Sequence, residues 1–384
     1  MTDVMRCEDQ KIRVLLVVPS LAGGGGERAV VYLLNSLDPE QFELDLAMLS
    51  KEGPYLDDVP ASVPVYDLGH VAKRHYCRTV RNLARILRQK RFDVVFATMW
   101  HACVVTLAAQ CISHSKATVL LNGQIHWSTA LRNKRFKRFK RLAIKRFYPR
   151  AHAIYVVAQA VKEDMIESFG IPPEKLHVIY NPVDVERAAK LSRERIDEPW
   201  YRADRPLILA AGRLAEQKGF SHLVRAFARV RKELPCTLAI LGDGPQRERL
   251  EALGTELGLG KSLVMPGFQE NPYKFMRAAT VFVLSSLWEG LPLVLLEAMA
   301  CGTPAVATRC PSGPEEIIED GRTGLLVPPG DEDSLVEAML ALLKDETLRQ
   351  SLSTAAKRRA GDFAVEKIMV QYKQAFVELA GRRS

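Results

Sequence analysis

Residues 207–219 read Leu207-Ile-Leu-Ala-Ala-Gly212-Arg213-Leu-Ala-Glu-Gln-Lys218-Gly219, and the apolar residues of 220–232 then recur with helical spacing. Five apolar residues without polar alternation read as a strand buried on both faces, as in a parallel sheet covered by helices. The glycine turn leads straight into a helix, so Arg213 and Lys218 flank a turn at the carboxyl edge of that sheet. Two solvated loop cations would look the same. The edge position, where open α/β sheets bind ligands, points instead to an anion held by a guanidinium and an ammonium.

The same strand–turn–helix unit repeats outward in both directions. Downstream, strands are expected over 237–241, 263–265, 281–284 and 305–308, with helices over 247–257, 293–300 and 333–344. Upstream, strands are expected over 12–18, 42–49, 93–97, 118–121 and 153–157, with helices over 27–37, 79–89 and 104–111. The pattern breaks after Asn181-Pro182, and the charged stretch 184–205 reads as a linker and an irregular start to a second domain. Alternation of this kind predicts an α/β chain of two doubly wound domains in tandem, divided as 1–184 and 185–364. Val365, Ile368, Met369, Tyr372 and Phe376 predict a last helix within 365–384.

Composition sets outer bounds. The chain has 384 residues, 47% of them hydrophobic and 26% charged, enough for two packed cores. The seven cysteines are scattered with no Cys-x-x-Cys pair, which argues against a disulfide framework or a zinc site. No stretch has the length and apolarity of a spanning helix. The apolar run 12–22 could imitate a signal peptide. It is preceded by Asp3, Glu8 and Asp9, interrupted by Pro19 and followed by glycines, so it reads better as a first buried strand.

Four stretches carry candidate chemistry. Gly23-Gly24-Gly25-Gly26-Glu27-Arg28 follows the first strand, where glycines let a backbone approach an anion at a helix start; a flexible turn would carry the same residues. Gly212–Gly219 is the second. The third, Glu289-Gly290-Leu291-Pro292-Leu293, opens a helix that runs to Gly302 and contains Glu297. Glu289 is expected in the loop, directed at a cleft. Glu297 is expected to face inward among apolar neighbours, where it needs a partner or a ligand. The fourth is Cys310-Pro311-Ser312-Gly313-Pro314-Glu315, with Gly321 and Gly324 beyond.

Together these stretches resemble the retaining GT-B glycosyltransferases called family 4. The resemblance implies two Rossmann-like domains facing a central cleft: an N-terminal acceptor domain, a C-terminal nucleotide-sugar domain, and a last helix returning to the first. It implies a nucleotide-sugar donor, a UDP-sugar ahead of a GDP-sugar, with neither metal nor cofactor. Arg213 and Lys218 would hold the diphosphate and stabilise the departing nucleotide. Glu297 would bind the ribose and Glu289 the donor sugar. Gly25 and Gly26 would let the N-terminal loop close on the phosphates, while Gly242, Phe268 and Leu293 complete the donor site. His126, just past the strand expected over 118–121, would stand at the catalytic centre on the acceptor side; a polar loop histidine would look alike.

The basic residues are concentrated rather than spread. Between Arg132 and Arg150 there are ten lysines and arginines and no acid, with Phe136, Phe139, Ala143 and Phe147 at helical steps. Such a helix can lie on an anionic membrane surface, or its aromatics can face a core. Arg135, Arg138, Arg141 and Lys145 are the candidates for membrane or acceptor-phosphate contact. Arg78, Arg81, Arg85 and Arg88 form a second basic face. The placement resembles family members that extend lipid-linked oligosaccharides. It implies a polyprenyl-diphosphate glycan acceptor and a peripheral position on the inner face of the cytoplasmic membrane. Competing expectations are a transferase with a soluble acceptor, a nucleic-acid-binding protein lacking any recognised module, and a nicotinamide-dependent oxidoreductase, which leaves Glu289 and Glu297 unexplained.

Overall fold

The computed structural model describes residues 11–69, 76–132 and 137–381. They form two units, one made of the chain up to Pro182 plus the segment from Val365 onward, the other of Val183–Ala364.

The first unit holds strands β1 (Ile12–Val18), β2 (Phe42–Met48), β3 (Val65–Asp67), β4 (Val94–Thr98), β5 (Thr118–Gly123), β6 (Ala153–Val156) and β7 (Leu176–Val178). Its helices are α1 (Gly25–Ser36), α2 (Tyr76–Gln89), α3 (Trp100–Ser113), α4 (Trp127–Ala130), α5 (Lys137–Phe147) and α6 (Gln159–Phe169). The strands pair in parallel in the order β3-β2-β1-β4-β5-β6-β7. Strand order therefore reverses between β1 and β4, which opens a crevice at their carboxyl ends.

The second unit begins with α7 (Val185–Leu191) and continues through β8 (Leu207–Ala211), α8 (Phe220–Glu233), β9 (Thr237–Leu241), α9 (Arg247–Glu256) and β10 (Leu263–Gly267). It closes with α10 (Tyr273–Ala278), β11 (Val281–Leu284), α11 (Leu293–Ala300), β12 (Ala305–Thr308), α12 (Pro314–Ile317), β13 (Leu325–Val327), α13 (Glu332–Lys344) and α14 (Glu346–Ala360). Its parallel sheet runs β10-β9-β8-β11-β12-β13, with the reversal between β8 and β11.

Parallel strands covered on both faces should be apolar throughout, and β4, β8, β9 and β11 are buried at every position. Each unit has its own core. In the first, α15 (Val365–Gly381) packs its Ile368, Met369, Tyr372 and Phe376 onto the β-sheet. The Phe376 ring meets Phe42 and Phe96 edge-on, with centroids 6.5 and 5.8 Å away.

Three expectations need correction. The stretch read as a linker starts with helix α7: Asp184 caps it by accepting the Arg187 amide at 2.8 Å, and the helix buries only Ala188, too little for an apolar period to show. The supposed single stripe of α5 is split between two faces. Ala143 and Ile144 are buried, whereas Phe139 and Leu142 are 69% and 65% exposed. Glu297 sits in α11 but is only half-buried. Phe136 and Arg135 lie outside the described residues. No helix among the described residues is long and apolar enough to cross a membrane.

Candidate active site

In the second unit the carboxyl ends of β8 and β11 bring two distant stretches together. After β8 the chain makes a short 3-10 turn over Glu216–Lys218 and ends it at Gly219 with φ 61°. A Cβ there would lie 2.1 Å from the Ser285 carbonyl oxygen, so only glycine lets this turn rest against the end of β11. Gly242, at the end of β9, likewise has φ 124° and would place a Cβ 2.2 Å from the Gly212 oxygen.

That packing lays Lys218 against Glu289. The Lys218 ammonium donates to Glu289 Oε1 at 2.6 Å, with side chains 16% and 6% exposed. Ser286 Oγ donates to the same oxygen at 2.6 Å, and Gln217 Nε2 to Oε2 at 3.2 Å. Glu289 is thus a buried carboxylate ringed by donors, the condition under which a charge is tolerated away from water. The loop after β12 closes over it: the Glu289 amide donates to Pro311 O at 3.3 Å, and Ser312 Oγ donates to Gly290 O at 2.9 Å. Burial and the Glu289 charge push the nearby Cys310 thiol up to about 12, which leaves it unreactive.

Arg213 stands apart from this cluster. It is exposed, and its guanidinium has no hydrogen bond or ion pair among the described residues. The edge therefore presents one satisfied cation–carboxylate pair and one free guanidinium. Leu293 is buried at the start of α11, and Glu297 accepts the Tyr273 hydroxyl at 3.0 Å. Phe268, past the end of β10, is 54% exposed.

The first unit carries the remaining candidates. Gly25 and Gly26 open α1, and a Cβ on Gly26 would come within 3.2 Å of Gln124 and Met99 side-chain carbons. Met99, at the end of β4, holds φ 64°, an unusual conformation for a side chain of its size and one that marks the crevice between β1 and β4. The helix start carries Glu27, 7% exposed, whose Oε2 is buried without a hydrogen-bond partner among the described residues. Burial raises its pKa, against a smaller opposing pull from the nearby Glu27 and Gly24 amides. His126 precedes α4, its Nδ1 3.0 Å from the Thr129 hydroxyl and 3.7 Å from the buried Asp164 carboxylate.

On α5, Arg138, Arg141 and Lys145 are exposed, and Arg141 donates to Ser168 O at 2.8 Å. Sequence reading passed over Ser286, Gln217 and Ser312, small polar residues that carry no signal until folding places them beside Glu289. It also passed over Asp164, whose burial beside His126 no spacing announces.

Comparison with known proteins adds to this geometry. Residues 23–187 match the family model Glycosyltransferase Family 4, and residues 192–359 match the model Glycosyl transferases group 1. The chain is 28% identical over 366 residues to the N-acetylgalactosamine-N,N'-diacetylbacillosaminyl-diphospho-undecaprenol 4-alpha-N-acetylgalactosaminyltransferase of Campylobacter jejuni, covering 94% of this chain and 97% of the relative. Among solved structures it resembles Anabaena Alr3699/HepE in complex with UDP and glucose, at 21% identity, TM-score 0.81 and 95% and 99% coverage. It also resembles the sucrose-phosphate synthase of Thermosynechococcus elongatus, at 21% identity, TM-score 0.82 and 97% and 100% coverage.

Proposed function

Because the chain belongs to the group 1 glycosyl transferases and is a transferase of the GT-B type, we propose that it moves a sugar from a nucleotide donor, a UDP-sugar ahead of a GDP-sugar, to a polyprenyl-diphosphate-linked glycan with retention of configuration. The observation that carries the reading is the carboxyl edge of β8 and β11, where the loop after β8 carries both Lys218, paired with the buried Glu289, and the exposed Arg213.

Breaking a sugar–phosphate bond places positive charge on the anomeric carbon and negative charge on the departing diphosphate. Arg213 is free to bind that diphosphate in a bidentate fork. Lys218, already fixed by Glu289, needs no reorganisation to face the developing charge, which is how preorganised donors lower a barrier. Glu289 sets the position of Lys218 and contacts the donor sugar; Glu297 binds the ribose. Gly25, Gly26, Gly242, Phe268 and Leu293 border the donor, and no metal takes part. The first unit supplies the acceptor, with His126 at the reacting hydroxyl. The chain works from the cytoplasmic face of the membrane, held by the outer face of α5, where Phe139 and Leu142 stand among Arg138, Lys145 and Arg146. The similarity to a transferase whose acceptor is diphospho-undecaprenol-linked supports this acceptor class.

The test is a panel of UDP- and GDP-sugars in a thermal-shift assay, followed by transfer to diphosphate-linked and free glycan acceptors and NMR assignment of the new anomeric centre. A ligand at 100 times its dissociation constant should stabilise the chain by about 2.7 kcal/mol. No stabilisation by any nucleotide sugar would overturn the donor site. An inverted product would overturn retention, and full activity on a free glycan without lipid would overturn the acceptor.

A further inference from the structure

Glu297 carries a charge into a run of apolar residues. Leu296, Ala298 and Met299 beside it on α11 are buried, and Glu297 is half-buried. A carboxylate so placed loses part of its hydration and needs donors that apolar neighbours lack. Its direction is open as well. The terminal torsion of a glutamate is broad, so the carboxylate plane turns unless a donor selects one orientation.

Tyr273 is such a donor. Its hydroxyl donates to Glu297 Oε1 at 3.0 Å. The tyrosine is 4% exposed, and Phe275 and Met276 on the same helix are fully buried. Phe275 also stacks on Trp200, with centroids 5.2 Å apart. A hydroxyl on a ring held in this way keeps one position, unlike a donor at the end of a flexible stem.

Helix α10 is tied at both ends. At its start, Asn271 Oδ1 accepts the Tyr273 amide at 3.1 Å, while Asn271 Nδ2 donates to the Leu191 carbonyl at 2.9 Å and to Glu194 Oε2 at 2.8 Å. Lys274 donates to Glu198 at 2.8 Å. At its end, the Met276 carbonyl accepts the hydroxyl of Thr303, just past α11, at 2.5 Å. The end of α7 therefore fixes where α10 begins, and the chain leaving α11 fixes where it ends. The Tyr273–Glu297 contact inherits its geometry from these ties. A carboxylate present only for packing would be covered completely; this one keeps a solvent-facing side while one of its oxygens is held.

We propose that Tyr273 is a positioning residue for the donor. It holds Glu297 so that the open side of the carboxylate faces the ribose hydroxyls, and preference for ribose over a deoxygenated sugar runs through it. This rests on the transferase reading above, in which Glu297 binds the ribose. Orientation fixed before binding spares the ordering that a free carboxylate would undergo as the nucleotide arrives.

The experiment is isothermal titration of UDP and GDP, each against its 2′,3′-dideoxy counterpart, into the full chain and into Tyr273→Phe, Glu297→Ala and the double variant. The parent chain should bind one ribonucleotide about tenfold or more tighter than its dideoxy form, because a site built around a hydroxyl rejects an analogue lacking it. Tyr273→Phe should weaken the ribonucleotide about fivefold and leave the dideoxynucleotide unchanged. The same substitution added to Glu297→Ala should weaken neither further, since Tyr273 acts through Glu297. Retained dideoxynucleotide binding shows that each variant is folded. Equal weakening of both nucleotides by Tyr273→Phe, or weakening of neither, would show that Tyr273 only supports the fold, and the proposal falls. An undiminished ribose preference in Glu297→Ala removes Glu297 from the ribose and the proposal with it, while the donor site stands. No nucleotide binding by the parent chain sinks the transferase reading and the proposal together.

Discussion

The Lys218–Glu289 pair should be costly to break from either side, and removing both members should cost little more than removing one. The contact is 2.6 Å between side chains 16% and 6% exposed, so neither charge recovers full hydration if its partner is lost. Removing one member of such a pair costs about 3–5 kcal/mol. Lys218→Met should fall at the lower end, about 3 kcal/mol, because Glu289 keeps its Ser286 and Gln217 donors at 2.6 and 3.2 Å. Glu289→Gln should cost a similar amount, since an amide can still accept from Ser286 but no longer balances the ammonium. The double variant should resemble the worse single rather than the sum, with a coupling of roughly 1–3 kcal/mol. Urea unfolding of the four proteins measures this directly.

The same four proteins test the chemistry. If Lys218 faces the departing diphosphate, Lys218→Met should lower turnover by about 10²–10³-fold per folded molecule. Correcting rates for the folded fraction separates that loss from instability. Additive destabilisation, with coupling below about 0.5 kcal/mol, would refute the buried pair. Near-native turnover in folded Lys218→Met would refute its place at the leaving group.

Other consequences follow from individual contacts. Phe376 is fully buried against Phe42 and Phe96, so Phe376→Ala should destabilise the first unit by about 3–5 kcal/mol, read by urea unfolding of its tryptophan signal. Burial raises the Glu27 pKa above its ordinary 4.5, so the native state binds the extra proton just above that value, and stability falls as pH climbs through the raised pKa. Glu27→Gln should therefore melt higher than the parent chain at about pH 8 and alike at about pH 3.5; an equal gap at both would show that the charge is irrelevant. The exposed Cys77 and Cys111 should take up iodoacetamide first, whereas Cys103 and Cys310, held up to about 12 by burial, should stay unmodified in the native chain by peptide mass spectrometry. Gly219→Ala, facing the Ser285 oxygen at 2.1 Å, should lose far more stability and turnover than Gly258→Ala, whose φ of 65° is similar but whose Cβ would meet open space.

How much could be read in advance followed from which elements bury enough to leave a pattern. The central strands were legible because a parallel strand covered on both faces must be apolar throughout, as 14–18, 207–211 and 281–284 are. The three-residue strands Val65–Asp67, Leu176–Val178 and Leu325–Val327 are too short to show any period. Helix α7 escaped for the same reason, with one buried residue in seven. Helix α5 misled because Phe139 and Ala143 share a four-residue step, yet the neighbour that joins Ala143 in the core is Ile144. A spacing defines which residues are near one another on a helix and does not say which side meets the protein.

The donor edge was legible as two separate stretches and illegible as one site. Lys218 and Glu289 are 71 positions apart, and no property of either stretch specifies a bond between them. The bond depends on Gly219 taking the left-handed conformation against the Ser285 carbonyl, with Gly242 closing the neighbouring turn on Gly212. Both contacts are backbone against backbone, so they fix the turns from which the two side chains reach one another, and the Glu289 carboxylate then holds the ammonium at 2.6 Å. That hold matters for the proposed reaction. A lysine without a partner would have to be ordered as negative charge develops, whereas Lys218 is already held by Glu289, and Arg213, on the same loop, is the cation whose partner must arrive with the substrate.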